Sequence, residues 1–128
     1  MSEIHEITSD RTGFPNPAAD HADKPLSLDE KLILHPAATF FVRVAGIEME
    51  EAGIRHGDLL VIDRSLRPRS GDCVIAYAEG NFIVRCYDTH RPGHPMLTNP
   101  GNLRPIPINE EVLIWGVVIH AITSFRCM

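Results

Sequence analysis

The sequence predicts a mainly β domain built on a strongly bent sheet, with one short N-terminal helix. Three observations carry this expectation. Apolar, β-branched runs of strand length recur between Gly and Pro turns along most of the chain. Only one stretch has both a start and a stop signal for a helix. The length of 128 residues, 44% hydrophobic and 23% charged, suits one domain around one core.

Residues 1–25 read as a flexible arm and leash, and residues 26–128 as the β domain. The first twelve residues are polar and show no sustained period. Gly13 to Asp20 contains Pro15 and Pro17, which keep it out of helix and central strand, with Phe14 as an anchor for a surface groove. Ser27-Leu28-Asp29-Glu30 matches a capping box, opening a helix that runs to about His35 and stops at Pro36. Leu28, Leu32 and Ile33 give it an apolar side.

Strands follow. Thr39 to Val44 is the first, and Asp58 to Asp63, introduced by the turn at His56-Gly57, is a second and buried one. Cys73 to Ala78 and Phe82 to Tyr87 flank Glu79-Gly80, a two-residue loop suited to a primed turn, so they form a hairpin. Its register sets Ala78 opposite Asn81 and Cys73 opposite Cys86. Reduced, half-buried thiols are the expectation there. Met96-Leu97 is a short strand in a Pro-rich segment, and Val112 to Ile122, with Gly116 in its middle, is the last strand or strand pair.

The bulk properties exclude several functions. A net charge of -5 opposes a general phosphate-binding surface, because non-specific nucleic-acid affinity comes from Lys and Arg displacing counterions. Direct, sequence-specific DNA binding is not expected, and the chain ahead of the β domain has no room for a helix-turn-helix. Three cysteines without CxxC spacing signal neither a disulfide framework nor zinc. The seven histidines show no ligand spacing, so no metal and no cofactor is expected; His35 and His120 read as cap and core residues. No stretch is apolar enough to span a membrane and the first residues lack a signal-peptide pattern, which places the protein in the cytoplasm.

The stretch from Phe40 to Ile54 organises the chain. An apolar run breaks at Gly46 into a short acidic segment, the pattern of a strand, a sharp turn and one helical turn. Such a junction displays a reactive group, and the residue it displays is Glu48.

Four motifs carry a resemblance: Gly13-Phe14-Pro15-Asn16-Pro17, His35-Pro36-Ala37-Ala38-Thr39-Phe40-Phe41-Val42, Gly57-Asp58-Leu59-Leu60-Val61-Ile62-Asp63 and Gly116-Val117-Val118-Ile119-His120. In order and spacing, from Gly13 to about Arg126, the chain resembles the UmuD branch of the LexA-type self-cleaving proteins. The resemblance implies a curved, mostly antiparallel LexA/UmuD-type β domain that forms homodimers. It implies autoproteolysis stimulated by the RecA filament, by a serine nucleophile with a lysine general base, at a bond before the Gly-Phe-Pro leash. The shortened product of that family serves a Y-family, error-prone DNA polymerase as accessory subunit.

Two positions depart from the family pattern. The nucleophile of Ser-Gly-Asp-Ser-Met aligns with Glu48 in Ala45-Gly46-Ile47-Glu48-Met49, and the lysine of Phe-Thr-Val-Lys aligns with Arg85 in Phe82-Ile83-Val84-Arg85. A lysine serves as base because burial can free its amine of the proton; a guanidinium stays protonated. A carboxylate is a poor nucleophile toward an amide. Loss of a catalytic dyad removes on the order of 10⁶ in rate by analogy with triad knockouts. The paired exchange of a neutral hydroxyl and an amine for an anion and a cation predicts an ion pair between Glu48 and Arg85.

The cleavage-site equivalent is the bond from Thr12 to Gly13, and the twelve residues before it make an arm shorter than the usual pro-segment. The chain therefore reads as a pseudo-peptidase resembling the processed form, UmuD′: a dimeric accessory protein of SOS mutagenesis and translesion DNA synthesis, partnered by a Y-family polymerase and contacting RecA. Two alternatives stand beside it. One is a regulatory or dominant-negative partner of an active UmuD-type or LexA-type protein; the other is a residual hydrolase with a different nucleophile.

Overall fold

In the computed structural model of the protein, residues 27–101 and 104–126 are described. The arm and leash expected over residues 1–25, with the Thr12 to Gly13 bond, lie outside them. Two compact units divide between Lys31 and Leu32. Helix α1 (Leu28–Leu32) begins as its capping box predicts, with the Glu30 amide donating to Ser27 Oγ at 3.3 Å. It ends three residues before the expected His35. His35 instead precedes a single 3-10 turn, Pro36–Ala38, and its extended backbone (φ -132°, ψ 84°) is what a following proline imposes.

The second unit is one sheet of seven strands, all paired antiparallel: β1 (Thr39–Arg43), β2 (Leu59–Asp63), β3 (Cys73–Ala78), β4 (Asn81–Asp88), β5 (Met96–Thr98), β6 (Ile106–Pro107) and β7 (Leu113–Ile122). Their order across the sheet is β1-β2-β7-β3-β4-β5-β6. A mostly antiparallel β fold with one short helix is therefore what forms. The hairpin register is also as expected: Ala78 faces Asn81 and Cys73 faces Cys86. Both loop residues take positive φ, 55° at Glu79 and 84° at Gly80, the geometry of a type I′ turn.

The bend comes from β7. Between Val61 and Ile62 of β2 its register slips so that Ile119 is extra, and between Ile75 and Ala76 of β3 it slips so that Trp115 is extra. Each bulge kinks the strand and adds twist. The pleat then sorts the core onto two faces. Leu60, Ile62 and Ile75 pack with Met49 and Ile54 on one, and Val74, Ala76, Leu97 and Val117 form a cluster on the other. With both faces covered, β2 is buried from Leu60 to Asp63, which is why its sequence runs apolar without alternation.

A buried polar clip fastens the start of β1 to the end of β2. Asp63 is fully buried. One carboxylate oxygen meets His35 Nδ1 at 2.6 Å, and the other accepts from the Ser65 hydroxyl at 2.6 Å and the Ser65 amide at 2.8 Å. Burial alone pushes this carboxyl up; the hydrogen bonds from Ser65 and His35 outweigh it and hold the group below the ordinary Asp value. His35 thus stands at the N-cap position of the 3-10 turn, as expected of a cap residue, while its side chain serves the clip. His120, expected in the core, is half-buried beside the bulge at Ile119.

A carboxyl whose pKa is lower in the folded state contributes stability above its ordinary range, and that stability fades as pH falls through the folded value. Urea midpoints are therefore expected to drop more steeply below about pH 4 for the native protein than for Asp63→Ala. At neutral pH that variant is expected to lose about 1–3 kcal/mol, measured by urea unfolding, because it removes the shared acceptor of the His35 ring and of the Ser65 hydroxyl and amide.

Candidate functional site

β1 ends at Arg43, but its pairing continues one step: the Val44 amide donates to the Asp58 carbonyl and the Gly57 amide to the Val44 carbonyl, both at 2.9 Å. The chain then turns at Gly46, whose φ of 110° suits glycine and whose amide donates to His56 Nδ1 at 2.9 Å. That bond needs the lone pair on Nδ1, so the ring proton sits on Nε2. After the turn, Met49 and Ile54 drop into the core and a 3-10 turn, Glu50–Ala52, closes the loop. Strand, turn and helical turn follow as the sequence predicts.

Glu48 occupies the apex. Its carbonyl accepts from Asn99 Nδ2 at 2.6 Å, while Asn99 Oδ1 accepts from the Gly101 amide at 2.7 Å. One buried amide side chain thus ties the apex to the segment after β5. The Glu48 side chain is exposed and folds back over the turn, with Oε1 2.5 Å from where a Cβ on Gly46 would sit.

Beneath the apex lies a cavity of about 460 Å³, walled by Val42 to Gly46, by Glu48 and Met49, by Ile54 and Ile75, by Phe82 to Arg85 of β4, and by Trp115. The structure brings Glu48 and Arg85 to this one cavity. The expected ion pair between them is not formed: no carboxylate oxygen of Glu48 lies within 4.0 Å of the guanidinium. Among the described residues the close pairs are His35 with Asp63 and His90 with Asp88.

Two physical reasons account for the difference. Glu48 is solvated, so water stands in for a counter-ion and the burial cost assumed for an unpaired carboxylate does not arise. Arg85 alternates with Val84 and Cys86, which pack in the cluster of Met49 and Ile54, and is in phase with Ile83 and Tyr87, which pack on the other face. Its guanidinium curls back to donate from Nη1 to the Val84 carbonyl at 2.8 Å, and its buried Nε has no partner.

Trp115, the bulged residue of β7, centres an aromatic rim. Phe40 and Phe82 meet it edge-on at centroid distances of 5.2 and 6.3 Å, and Tyr77 extends the row through Phe82 at 5.0 Å. Arg64 lies over the indole, 4.3 Å from its centroid, and donates from Nε to the Trp115 carbonyl at 2.7 Å. Nothing in the sequence singled out Trp115 or Asn99. Asn99 stands before Pro100-Gly101, a turn signal, but its reach to the Glu48 carbonyl is a long-range contact with no local pattern.

Among the described residues, none that lines the cavity carries a hydroxyl, thiol, imidazole or amine. Of the two charged side chains singled out in the sequence, the Arg85 guanidinium cannot accept a proton and the solvated Glu48 carboxylate does not attack an amide. Ser65, His35 and Asp63 offer the residue types of a triad without its geometry. Ser65 Oγ is 3.2 Å from His35 Nδ1, the same nitrogen that faces Asp63, so no relay from acid to base to nucleophile exists.

Residues 7–119 match the Peptidase S24-like family. The chain belongs to that family. As a UmuD-like member of the LexA/UmuD group it has relatives of similar length. Protein ImpA of Salmonella typhimurium is 41% identical over 128 residues, spanning 98% of this chain and 88% of that protein. Protein MucA of Escherichia coli is 41% identical over 114 residues, spanning 86% and 77%. The LexA repressor of Idiomarina loihiensis is 34% identical over 90 residues, 70% of this chain but 42% of the repressor. Among the described residues no helix is long and apolar enough to cross a membrane.

The tie at Asn99 is open to direct test. Asn99→Ala is expected to cost about 1–2 kcal/mol in urea unfolding and to speed amide hydrogen exchange at Gly101 and across Gly46 to Ala52, with little change in the β3–β4 hairpin.

Proposed function

We propose that the protein is a non-catalytic, dimeric accessory factor of SOS mutagenesis that serves a Y-family DNA polymerase, with the RecA filament as a further contact. The observation that supports this reading is the composition of the cavity. It is framed by a strand, a turn and a facing hairpin, yet among the described residues its walls supply neither a serine or cysteine nucleophile nor a lysine or histidine base. The family supports the system, and the lining of the cavity favours a binding role over a catalytic one.

The domain also has surface suited to binding. Phe40 and Phe41 on the edge strand β1 are 43% and 55% exposed, and Phe82 at the cavity rim is 60% exposed. An unpaired edge with large apolar side chains suits a protein partner, and the net charge of -5 makes direct DNA contact the weaker reading.

Incubation with RecA on single-stranded DNA and a nucleotide is expected to leave the chain intact in electrophoresis and intact-mass measurement. A fragment beginning at Gly13 would sink the reading. If loss of the dyad is the sole defect, Glu48→Ser combined with Arg85→Lys gains RecA-stimulated cleavage while either change alone does not. Co-purification with a Y-family polymerase subunit is expected from cells expressing both; stable capture of an active self-cleaving relative in its place would move the role to regulation of that relative.

A further inference from the structure

We propose that Cys73 and Cys86 form a redox-active dithiol, which a disulfide oxidant such as oxidised glutathione converts into an intramolecular cross-strand disulfide. This goes beyond the accessory role above and does not depend on it.

The geometry begins with the hairpin. Ala78 and Asn81 close the two-residue turn as a hydrogen-bonded pair, and along an antiparallel ladder such pairs alternate with open ones. Counting back along β3, Cys73 and Cys86 fall on an open pair, and the Tyr87 amide donating to the Asp72 carbonyl at 2.8 Å marks the adjacent closed one. Directly opposed residues of an open pair have Cα atoms about 4.5 Å apart, inside the window a disulfide spans but at its short end. The two side chains lie on the same face of the sheet, both half-buried against the cluster of Met49 and Ile54. No backbone movement is needed to join them.

The surroundings divide the labour. Burial, and after it the neighbouring Cys86 sulfur and Asp72, push the Cys73 thiol up to about 12, so Cys73 stays protonated and is not the first to react. Cys86 is therefore the entry point. Its thiolate attacks one sulfur of oxidised glutathione, the glutathione S–S bond breaks, and one glutathione leaves as thiolate. In the mixed disulfide the Cys86 sulfur no longer bears charge against its neighbour, so the opposition it presented to ionising Cys73 disappears. Cys73 gives its proton to solvent and attacks the Cys86 sulfur, and the second glutathione leaves. Two protein thiols are oxidised and one glutathione disulfide is reduced to two thiols.

The short spacing makes the product a labile disulfide that a thiol reductant reopens. Its place in the fold gives it reach. Cys86 adjoins Arg85, and both cysteines pack in the cluster that holds the residues on either side of the Glu48 loop, Met49 and Ile54. Oxidation thus pins the β4 wall of the cavity to β3.

The test uses the full chain carrying Cys127→Ser, so that Cys73 and Cys86 are its only thiols. Folded protein equilibrated with oxidised glutathione is expected to lose two hydrogens by intact-mass measurement, to give a linked Cys73 and Cys86 peptide on digestion, and to return to dithiol with dithiothreitol. The oxidised form is expected to melt roughly 5–10 °C higher, since the bond closes a short loop. In the same background Cys73→Ser should hold a stable glutathione adduct on Cys86, whereas Cys86→Ser should leave Cys73 unmodified. The proposal is overturned if folded protein keeps both free thiols in oxidant that oxidises the urea-unfolded chain, or if the disulfide formed joins two chains.

Discussion

The structure depends on how β7 is accommodated between β2 and β3. A ten-residue strand in unbroken pairing with both neighbours would give an evenly twisted sheet without a local bend. Two bulges prevent that: the one at Ile119 lets β7 follow β2, and the one at Trp115 lets it follow β3. Between them sits Gly116, where any Cβ would come within 2.5 Å of Ile62 Cγ2, so the strand can lie against β2 only without a side chain at this point. The bend that results curls β1 and β4 toward each other. Without it the Glu48 loop and Arg85 would not border one cavity, and Trp115 would not stand where Phe40 and Phe82 can meet it.

Charge at the cavity is governed by solvent access. An anion and a cation bordering one cavity look like a pair that must compensate. Compensation is needed only when both groups leave water. Glu48 does not, and Arg85, half-buried, takes a backbone carbonyl on its own strand instead. The buried carboxylate that did require partners is Asp63, which has no part in the dyad positions and obtains its partners from His35 and Ser65.

Elements with local signals were legible in the sequence. The capping box at Ser27, the primed turn at Glu79-Gly80 with its register, and the break at Gly46 each rest on a few adjacent residues, and each stands where it was expected. The apolar run of β2 was readable because burial on both faces leaves no alternation to mistake. Features that depend on distant partners left no such trace. The end of α1 at Leu32 reflects His35 turning to Asp63, and β6 is a two-residue strand whose only warrant is pairing with β5. The tie from Asn99 to Glu48 joins loops that the sequence sets far apart. That Glu48 and Arg85 border one cavity accords with the sequence reading, but whether their side chains meet is set by exposure and pleat phase, which a one-dimensional sequence does not contain.

The position of β7 also fixes an order of assembly. It follows the other six strands along the chain yet lies between β2 and β3, pairing residues as remote as Leu60 and Ala121. Contacts of such separation are slow to form, because the closure entropy of the intervening chain is spent before they return anything. The β3–β4 hairpin needs no such wait, since its tight turn brings its strands together on the microsecond scale. Cys73 and Cys86 therefore face each other while the groove that β7 will fill is still open, and in that interval both thiols are more accessible than they will be again. The arrival of β7 covers β3, and with it the native packing of the thiol pair is complete.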